Sequence, residues 1–196
     1  YHVGDMRTVR INGTEYRLRL ANKSSSDSVC SGSSNSQTAC GFVVEFYDAV
    51  TQMSMRGTGT NVGGYPATLV FDYLNNTLPS QLPPELQSAI KPTRVISGHG
   101  SNESTNFTST DNLYLLSGVE VFGSDNYDTA ANTTTQLEYY NNSSNSKIKQ
   151  YNSSNSWWWL RSADYDDCFR FVSEYGYLLS NIAYGTNGVA PAFRIG

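Results

Sequence analysis

The chain has 196 residues, of which 38% are hydrophobic, and it carries a formal net charge of -4. This length and apolar content support one buried core, so we expect a single domain over residues 1–196. The acidic balance and the lack of clustered Lys and Arg argue against nucleic acid as a partner. No apolar run approaches the roughly 18 residues that cross a bilayer, so we expect no direct membrane insertion. Because the sequence begins at Tyr1, we expect a processed fragment with any signal peptide or anchor outside it.

The first element predicted is a β-hairpin. Residues 3–20 contain two alternating runs separated by Asn12-Gly13, a dipeptide typical of two-residue hairpin turns. The alternate residues expected on the buried face are Val9, Ile11, Tyr16, Leu18 and Leu20.

The three cysteines divide into a pair and a single residue. Cys30 and Cys40 enclose a Ser-rich loop, which a disulfide would close and which would then indicate an oxidising location. Two reduced thiols fit the sequence equally well. Cys168 has no His near it in the sequence, so a nucleophilic role is not expected.

The middle of the chain alternates strand and helix patterns. Residues 41–50 and 93–97 are predicted strands. Helices are predicted over residues 67–78, ended by Pro79, and over residues 84–90, with Leu86, Ala89 and Ile90 facing inward. The Gly/Thr-rich segment 57–64 lacks the Gly-Lys-Ser/Thr ending of a phosphate-binding loop.

Polar segments surround a second apolar stretch. Residues 98–110 are predicted to be loop, and His99 within them has no second ligand at metal spacing, so neither a metal nor a cofactor is expected. Residues 112–122 are apolar enough to be buried. Residues 123–156, rich in Asn, Ser and Thr, are predicted to be an irregular surface excursion with a short helix at about 135–140.

The last forty residues combine an apolar frame with a polar insert. Trp157, Trp158 and Trp159 are expected to fill a core or a pocket floor. Strands are predicted over residues 169–173 and 177–182, with Gly176 supplying the positive φ of the turn between them. A terminal strand-like run covers residues 189–195, where Pro191 indicates a sheet edge or a bulge.

The insert between these frame elements is rich in Tyr, Asp, Ser and Asn. This composition is typical of antibody contact surfaces, because Tyr gives rigid amphipathic area and small polar residues give adaptable hydrogen bonds. Ordinary solvated loops have a similar composition. Asp166 and Asp167 are adjacent and would point to opposite faces of a strand, so they make a poor acid/base pair. Without a complete catalytic constellation, we expect no enzyme activity.

Several ordered segments carry a family resemblance. Residues 3–22, 41–48, 63–92, 109–123, 157–163 (WWWLRSA) and 188–196 (GVAPAFRIG) together resemble a bacterial and phage domain of C-type-lectin-like fold. In that family a "WWLRS" element precedes a Ser/Asn-rich hairpin and a terminal "GVRPA"-like strand. Ala190 stands here in place of the usual arginine, a departure in the frame and not in the insert.

The resemblance implies an α+β, C-type-lectin-like fold with mixed and antiparallel sheets. It also implies two flanking helices, long irregular loops and paired N- and C-terminal strands. The insert would lie on one exposed face.

Some members of this group are variable proteins of diversity-generating retroelements, in which adenine-directed mutagenesis rewrites Asn-type codons near the C-terminus. Of residues 164–187, only Glu174 falls outside the residues expected from such codons. The resemblance therefore implies a variable ligand-binding region over residues 164–187, on a receptor- or adhesin-type protein. We expect such a protein at the cell surface, secreted or on a virion, with a protein or glycan ligand. The expected contact residues are Tyr165, Asp166, Asp167, Cys168, Arg170, Tyr175, Tyr177, Ser180, Asn181, Tyr184 and Thr186.

Two other classes are compatible with the same fold. An invariant carbohydrate-binding or adhesion module would use Trp and Tyr to stack on sugar rings, but the tripeptides typical of calcium-dependent lectins are absent from the sequence. Formylglycine-generating enzymes share the broader fold, but they need an active-site cysteine pair, and Cys168 stands apart from the other two cysteines.

Overall fold

A computed structural model describes residues 1–165 and 167–196 as an α+β fold built mainly from antiparallel strands. The strands are β1 (Met6–Ile11), β2 (Thr14–Asn22), β3 (Val43–Phe46), β4 (Thr51–Met53), β5 (Ile90–Lys91), β6 (Thr93–Ser97), β7 (Phe107–Asp111), β8 (Lys149–Tyr151), β9 (Ser154–Ser156), β10 (Trp158–Ala163), β11 (Cys168–Val172), β12 (Leu178–Ile182), β13 (Asn187–Val189) and β14 (Ala192–Ile195). The α-helices are α1 (Asp27–Cys30), α2 (Leu69–Asp72), α3 (Pro84–Ala89), α4 (Gly118–Phe122) and α5 (Glu138–Asn141).

Two five-stranded sheets form the framework. The first sheet has the order β1-β2-β3-β14-β5, and the second has the order β12-β11-β10-β13-β4. Adjacent strands are antiparallel except for β10 and β13, which are parallel. One apolar cluster joins the sheets, with Phe46 and Phe193 from the first and Trp159 and Phe171 from the second. The sheets therefore share a core.

The second sheet is also covered on its other face. Trp158 and Val172 pack there in a cluster that includes Val121 of α4 and Tyr140 of α5. Because both faces of β10 are buried, every residue from Trp158 to Ala163 is inaccessible to solvent. The central strand of this sheet is thus fixed from two sides.

The predicted N-terminal hairpin is confirmed. β1 and β2 pair in register around Asn12 and Gly13, whose φ values are 50 and 81. Positive φ at both central residues is the geometry that an Asn-Gly turn supplies. Four of the five residues expected to be buried are buried, whereas Tyr16 is half-buried.

The pairing predicted for the terminal strands is wrong in detail. β14 lies in the same sheet as β1 and β2, but it pairs with β3 and β5. β3 occupies the free edge of β2 through pairs such as Leu18 with Phe46, so β14 is left to bond the opposite edge of β3.

The terminal apolar run also divides between the sheets. β13 belongs to the second sheet and β14 to the first, with Ala190 and Pro191 at the crossing. Pro191 needs no amide partner there, and its carbonyl oxygen accepts a hydrogen bond from Phe46 N at 2.9 Å. The single strand-like run predicted for residues 189–195 is corrected accordingly.

The first predicted helix is broken into several turns. A 3-10 turn (Tyr65–Ala67) precedes α2, and a π turn (Tyr73–Thr77) and a second 3-10 turn (Leu78–Gln81) follow it. Pro79 lies in the first turn of that last segment, where a missing amide costs little, so it does not end the helical stretch. The second helix is confirmed as α3, although Ala89 is exposed.

Three strands lie in segments predicted to be irregular. β7 pairs with β6, and β8 pairs with β9 around a turn at Asn152 and Ser153, which both have positive φ. The short predicted helix near residues 135–140 is present as α5. Cys30 and Cys40 form a disulfide with Cα atoms 5.8 Å apart, which decides between the two alternatives for that loop.

A buried ionic network ties β2 and β3 to β8 and α5. Glu45 is fully buried and bonds Arg19 NH2 at 2.7 Å and Lys149 Nζ at 2.9 Å. Tyr140 donates its hydroxyl hydrogen to the same carboxylate at 2.8 Å. Burial lowers the pKa of Lys149 to about 8, against the opposing attraction of Glu45. Two cations and a hydroxyl thus compensate one buried carboxylate.

Candidate functional site

The tryptophan element (residues 157–163) lies beside the hairpin β11–β12, because its strand β10 pairs with β11. Trp158 and Trp159 are fully buried, as predicted, and their ring N–H groups donate to Lys147 O at 3.0 Å and Met53 O at 2.8 Å. Trp157 differs, because it is 41% exposed. Its ring lies 4.6 Å from that of Phe171, and its N–H donates to Glu174. Of the core and the pocket floor predicted for the three rings, the core position is therefore wrong for Trp157.

The hairpin has the predicted strands and turn. β11 and β12 pair antiparallel from Cys168 with Ile182 to Val172 with Leu178. Gly176 has a φ of 84, and its amide donates to Ser173 O at 2.9 Å. The hydroxyl of Ser173 accepts from the amides of Tyr175 and Tyr177. Local hydrogen bonds thus define this end, which we call the turn end.

The four tyrosines of the insert are exposed at opposite ends of this hairpin. Tyr175 and Tyr177 are 73% and 65% exposed and belong to the turn end. Tyr165 and Tyr184 are 58% and 56% exposed and flank the other end, which we call the open end. Five paired residues at about 3.4 Å each separate the ends by about 17 Å. The insert therefore presents two aromatic patches and not one.

A buried asparagine holds the backbone of the open end. Asn61 is fully buried, and the two hydrogens of its side-chain amide are shared among three carbonyl oxygens, those of Asp164 at 3.1 Å, of Cys168 at 2.9 Å and of Tyr165. Gly100 packs against the same point, since a Cβ there would lie 3.0 Å from Asp164 O. These contacts involve main-chain oxygens, so they do not depend on the side chain carried at residue 165.

A buried ion cluster lies beneath the open end. Arg170 is 8% exposed, and it bonds Asp125 Oδ2 through Nε at 3.1 Å and Ser180 Oγ through NH1 at 2.9 Å. The hydroxyl of Ser180 in turn donates to Asp164. Burial raises the pKa of Asp125, and the nearby Arg170 opposes that shift. Arg170 and Ser180 are thus committed to internal partners, a placement that favours a supporting role over the ligand contact predicted for them.

Aromatic rings connect this cluster to the surface. The guanidinium of Arg170 lies 5.2 Å from the ring centroid of Tyr127. The ring of Tyr127 lies 4.9 Å from that of Tyr165, and both rings are exposed. Tyr165 is therefore positioned by a neighbour that is far from it in the sequence.

The remaining predicted contact residues differ in accessibility. Asp167 and Thr186 are exposed, whereas Asn181 is half-buried and donates its amide to Asn187 at 3.0 Å. Cys168 is half-buried, and burial together with nearby Asp164 and Asp167 raises the pKa of its thiol, which disfavours a reactive thiolate. Asp166 lies outside the described residues.

Asn61, Gly100, Asp125 and Tyr127 were not predicted from the sequence as site residues. Asn61 lies in a Gly/Thr-rich loop and Asp125 in an Asn/Ser/Thr-rich region, where polar residues are ordinary. Gly100 is marked in the sequence only by the Gly-His-Gly pattern of residues 98–100. No local pattern links these residues to the hairpin.

Within residues 1–165 and 167–196, no group of three or more His, Cys, Asp or Glu side chains could hold a metal ion. In the same part of the chain, no helix is both long enough and apolar enough to span a membrane.

These features define an α+β domain that presents exposed tyrosines on a hairpin whose backbone is fixed from below. Residues 44–196 match the family described as "Domain of unknown function (DUF6273)", and the chain belongs to that family. The match begins within β3 and includes the whole hairpin and the tryptophan element. Neither a curated protein nor a solved structure matches the chain.

Proposed function

We propose that this protein is a receptor- or adhesin-type ligand-binding protein with a C-type-lectin-like scaffold, and that it is a variable protein of a diversity-generating retroelement. One observation carries the proposal: the exposed side chains of the insert and the contacts that hold the hairpin backbone belong to different residues. Tyr165, Asp167, Tyr175, Tyr177 and Tyr184 are exposed. The contacts that hold their backbone come from other residues.

This separation makes the displayed positions tolerant of substitution. At the open end, Asn61 bonds carbonyl oxygens that every residue type possesses. At the turn end, Ser173 bonds the amides of Tyr175 and Tyr177, which all residues except proline possess. Replacing an exposed side chain therefore leaves the supporting hydrogen bonds in place.

The displayed side chains suit a protein or glycan ligand. Tyrosine supplies large contact area with few torsions to order, and it is common in binding hot spots. Asp167 adds an exposed carboxylate, which favours basic groups or hydroxyls on the ligand. The disulfide between Cys30 and Cys40 supports an oxidising location such as the cell surface, the exterior or a virion.

The second candidate function is an invariant carbohydrate-binding or adhesion module. The observation that favours it is Trp157, whose exposed ring packs on Phe171 beside the exposed Leu179. A flat aromatic surface of this kind can stack against a sugar ring. Binding of one defined glycan by relatives with unrelated residues at 165, 175, 177 and 184, measured on a glycan array, would favour this candidate.

Sequencing the gene in sibling isolates tests the leading proposal. We expect changes at the codons for Tyr165, Asp167, Tyr175, Tyr177 and Tyr184, because these side chains carry no part of the frame. The codons for Phe169 and Phe171, which lie between them but face the core, serve as the matched control and should be constant. A reverse transcriptase gene and a near-copy of the 3′ end of this gene are expected beside the locus. Uniform codons over residues 164–187, with no such near-copy, would refute the proposal.

A further inference from the structure

The hairpin strand β12 is an edge strand of the second sheet. It pairs with β11 on one side, and no described strand pairs with its other side. Two hydrogen bonds show which residues of β12 bond to β11 and which face away from it. Ser173 N donates to Tyr177 O and Ala183 N donates to Asp167 O, both at 2.8 Å. Because antiparallel pairs alternate, the amide and carbonyl groups of Leu178 and Ser180 point away from β11. Those groups have no hydrogen-bond partner within residues 1–165 and 167–196.

This edge lacks the features that normally prevent strand pairing. Charged side chains, proline or very short length usually protect an edge. β1, at the edge of the first sheet, carries the exposed residues Arg7 and Arg10. β5 and β4, at the remaining edges, have two and three residues. β12 has five residues, reads LLSNI and contains neither charge nor proline.

The sequence of β12 is complementary to itself in an antiparallel arrangement. With a two-fold axis at Ser180, Leu178 of one copy lies opposite Ile182 of the other, and Leu179 lies opposite Asn181. Each pair shares a face, so apolar residues meet at both ends of the segment. No like charges face each other, although the chain carries a net charge of -4.

The same arrangement joins the two aromatic patches. Beyond Ile182 the chain turns, with Gly185 N donating to Ile182 O at 2.8 Å, so Tyr184 follows the paired segment. The two-fold axis places the open end of one hairpin beside the turn end of the other. Tyrosines that lie about 17 Å apart within one chain become neighbours across the axis. Tyrosine is enriched at interfaces, and large exposed side chains are concentrated in this segment, namely Tyr175, Tyr177, Leu179 and Tyr184.

We infer that two copies of this protein associate through β12, in a two-fold antiparallel pairing that makes one continuous sheet from the two second sheets. The short segment gives a small interface, so the dimer is weak and concentration-dependent. Strand pairing uses the edge of the sheet and leaves its faces open. The inference stands whether or not the insert is diversified.

Two variants at one position test the pairing. Ser180→Pro removes the outward amide, which a strand edge tolerates, whereas Ser180→Ala keeps the amide and removes the same hydroxyl. Sedimentation or light scattering from micromolar to millimolar protein should show a dimer for the native chain and for Ser180→Ala, and loss of the dimer for Ser180→Pro. A native chain that stays monomeric over this range, or a dimer that survives in Ser180→Pro, would overturn the inference. Loss of the dimer in both variants would show that the association depends on the hydroxyl, which bonds Arg170 and Asp164 within the chain, and would equally overturn the inference.

Amide hydrogen exchange on the native chain covers the case in which Ser180→Pro fails to fold. The amides of Leu179 and Asn181 bond within the hairpin and should be protected at every concentration. Those of Leu178 and Ser180 should become protected only as the protein concentration rises. Free exchange at all concentrations contradicts the pairing. Protection that requires an added protein or glycan, with the chain monomeric, would replace the second copy with a ligand.

Discussion

The turn end of the β11–β12 hairpin is held by its own residues, with Ser173 bonding the amides of Tyr175 and Tyr177 and Gly176 turning the chain. The open end is held by residues from elsewhere, chiefly Asn61 and Asp125. The backbone turn is therefore determined by local bonds at one end, where Trp157 and Asn155 add contacts to Glu174, and by tertiary contacts at the other.

This difference assigns different tolerances to the two aromatic patches. At the turn end, any residue compatible with the turn keeps the backbone in place. At the open end, the side chains of Tyr165 and Tyr184 are replaceable only while the buried support beneath them is intact. Substitutions of the supporting residues should therefore affect the two ends of the hairpin unequally.

The largest effect is expected for Arg170→Met, which leaves Asp125 and Asp164 without their nearby cation. Breaking a buried ion pair from one side costs about 3 kcal/mol at neutral pH. The free energy of unfolding, measured with urea, reports this loss. Arg10→Met is the matched control, because the ion pair of Arg10 with Glu15 is exposed and should contribute little.

The pH dependence of Arg170→Met should have a defined sign. Burial raises the pKa of Asp125, so the folded chain binds this proton more readily than the unfolded chain, and stability falls as the pH rises through that range. The Arg170 guanidinium opposes this rise in the pKa of Asp125. Removing it should therefore raise that pKa further and increase the loss of folding stability at higher pH. The decrease in the free energy of unfolding of Arg170→Met should therefore be greater at neutral pH than at about pH 4. An equal loss at both pH values would show that Asp125 is not the group left unpaired.

The second effect is expected for Asn61→Ala, which removes the donor to the carbonyl oxygens of Asp164 and Cys168. Cys168 O keeps a bond from Asp164 N at 3.0 Å, but leaving the buried carbonyl of Asp164 without its donor should cost about 2 kcal/mol. Amide exchange should accelerate at Asp164, Tyr165, Asp167 and Cys168 and stay unchanged in residues 173–177. Asn76→Ala is the control, because Asn76 is exposed and its side-chain amide bonds the exposed Asp72. Equal acceleration at both ends would contradict the separate support of the open end.

The parts of the fold that the sequence predicted are those with local signals. Asn12-Gly13 defines the first hairpin, and Gly176 with its flanking alternating residues defines the last. Cys30 and Cys40 were recognised as a pair, but only the structure shows the bond. The family resemblance implied the α+β class, which the structure confirms, whereas the finer fold type remains a proposal.

The parts that were missed depend on contacts between distant segments. The polar strands β7, β8 and β9 lie in segments whose composition resembles loop. Pro191 was predicted to lie at a sheet edge or a bulge, because the sequence does not show that residues 189–195 cross from one sheet to the other at this proline. Trp157 resembles its two neighbours in sequence, but it precedes the buried strand β10, and its ring lies against Phe171 and bonds Glu174. Support of the open end by Asn61 spans 103 residues and more, beyond any local pattern.

A smaller effect is expected for Gly176→Ala at the turn end. The φ of 84 is unfavourable for alanine, and the penalty should be about 1 kcal/mol. The nearest atom to an added Cβ is Ile148 Cγ1 at 3.6 Å, so no steric clash adds to the backbone term. Exchange should accelerate in residues 173–177 and stay unchanged at Asp164, Tyr165, Asp167 and Cys168, the reverse of Asn61→Ala. Acceleration at the open end would show that the ends are coupled.

The smallest effects are expected for alanine substitutions of Tyr165, Tyr175, Tyr177 and Tyr184. Each ring is more than half exposed, so each should change the free energy of unfolding by no more than about 0.5 kcal/mol. Tyr140→Ala provides the contrast, because Tyr140 is buried and bonds Glu45, and its loss should cost several times as much. If Tyr165→Ala alone is strongly destabilising, its contact with Tyr127 belongs to the frame, and residue 165 is then a supporting position instead of a displayed one.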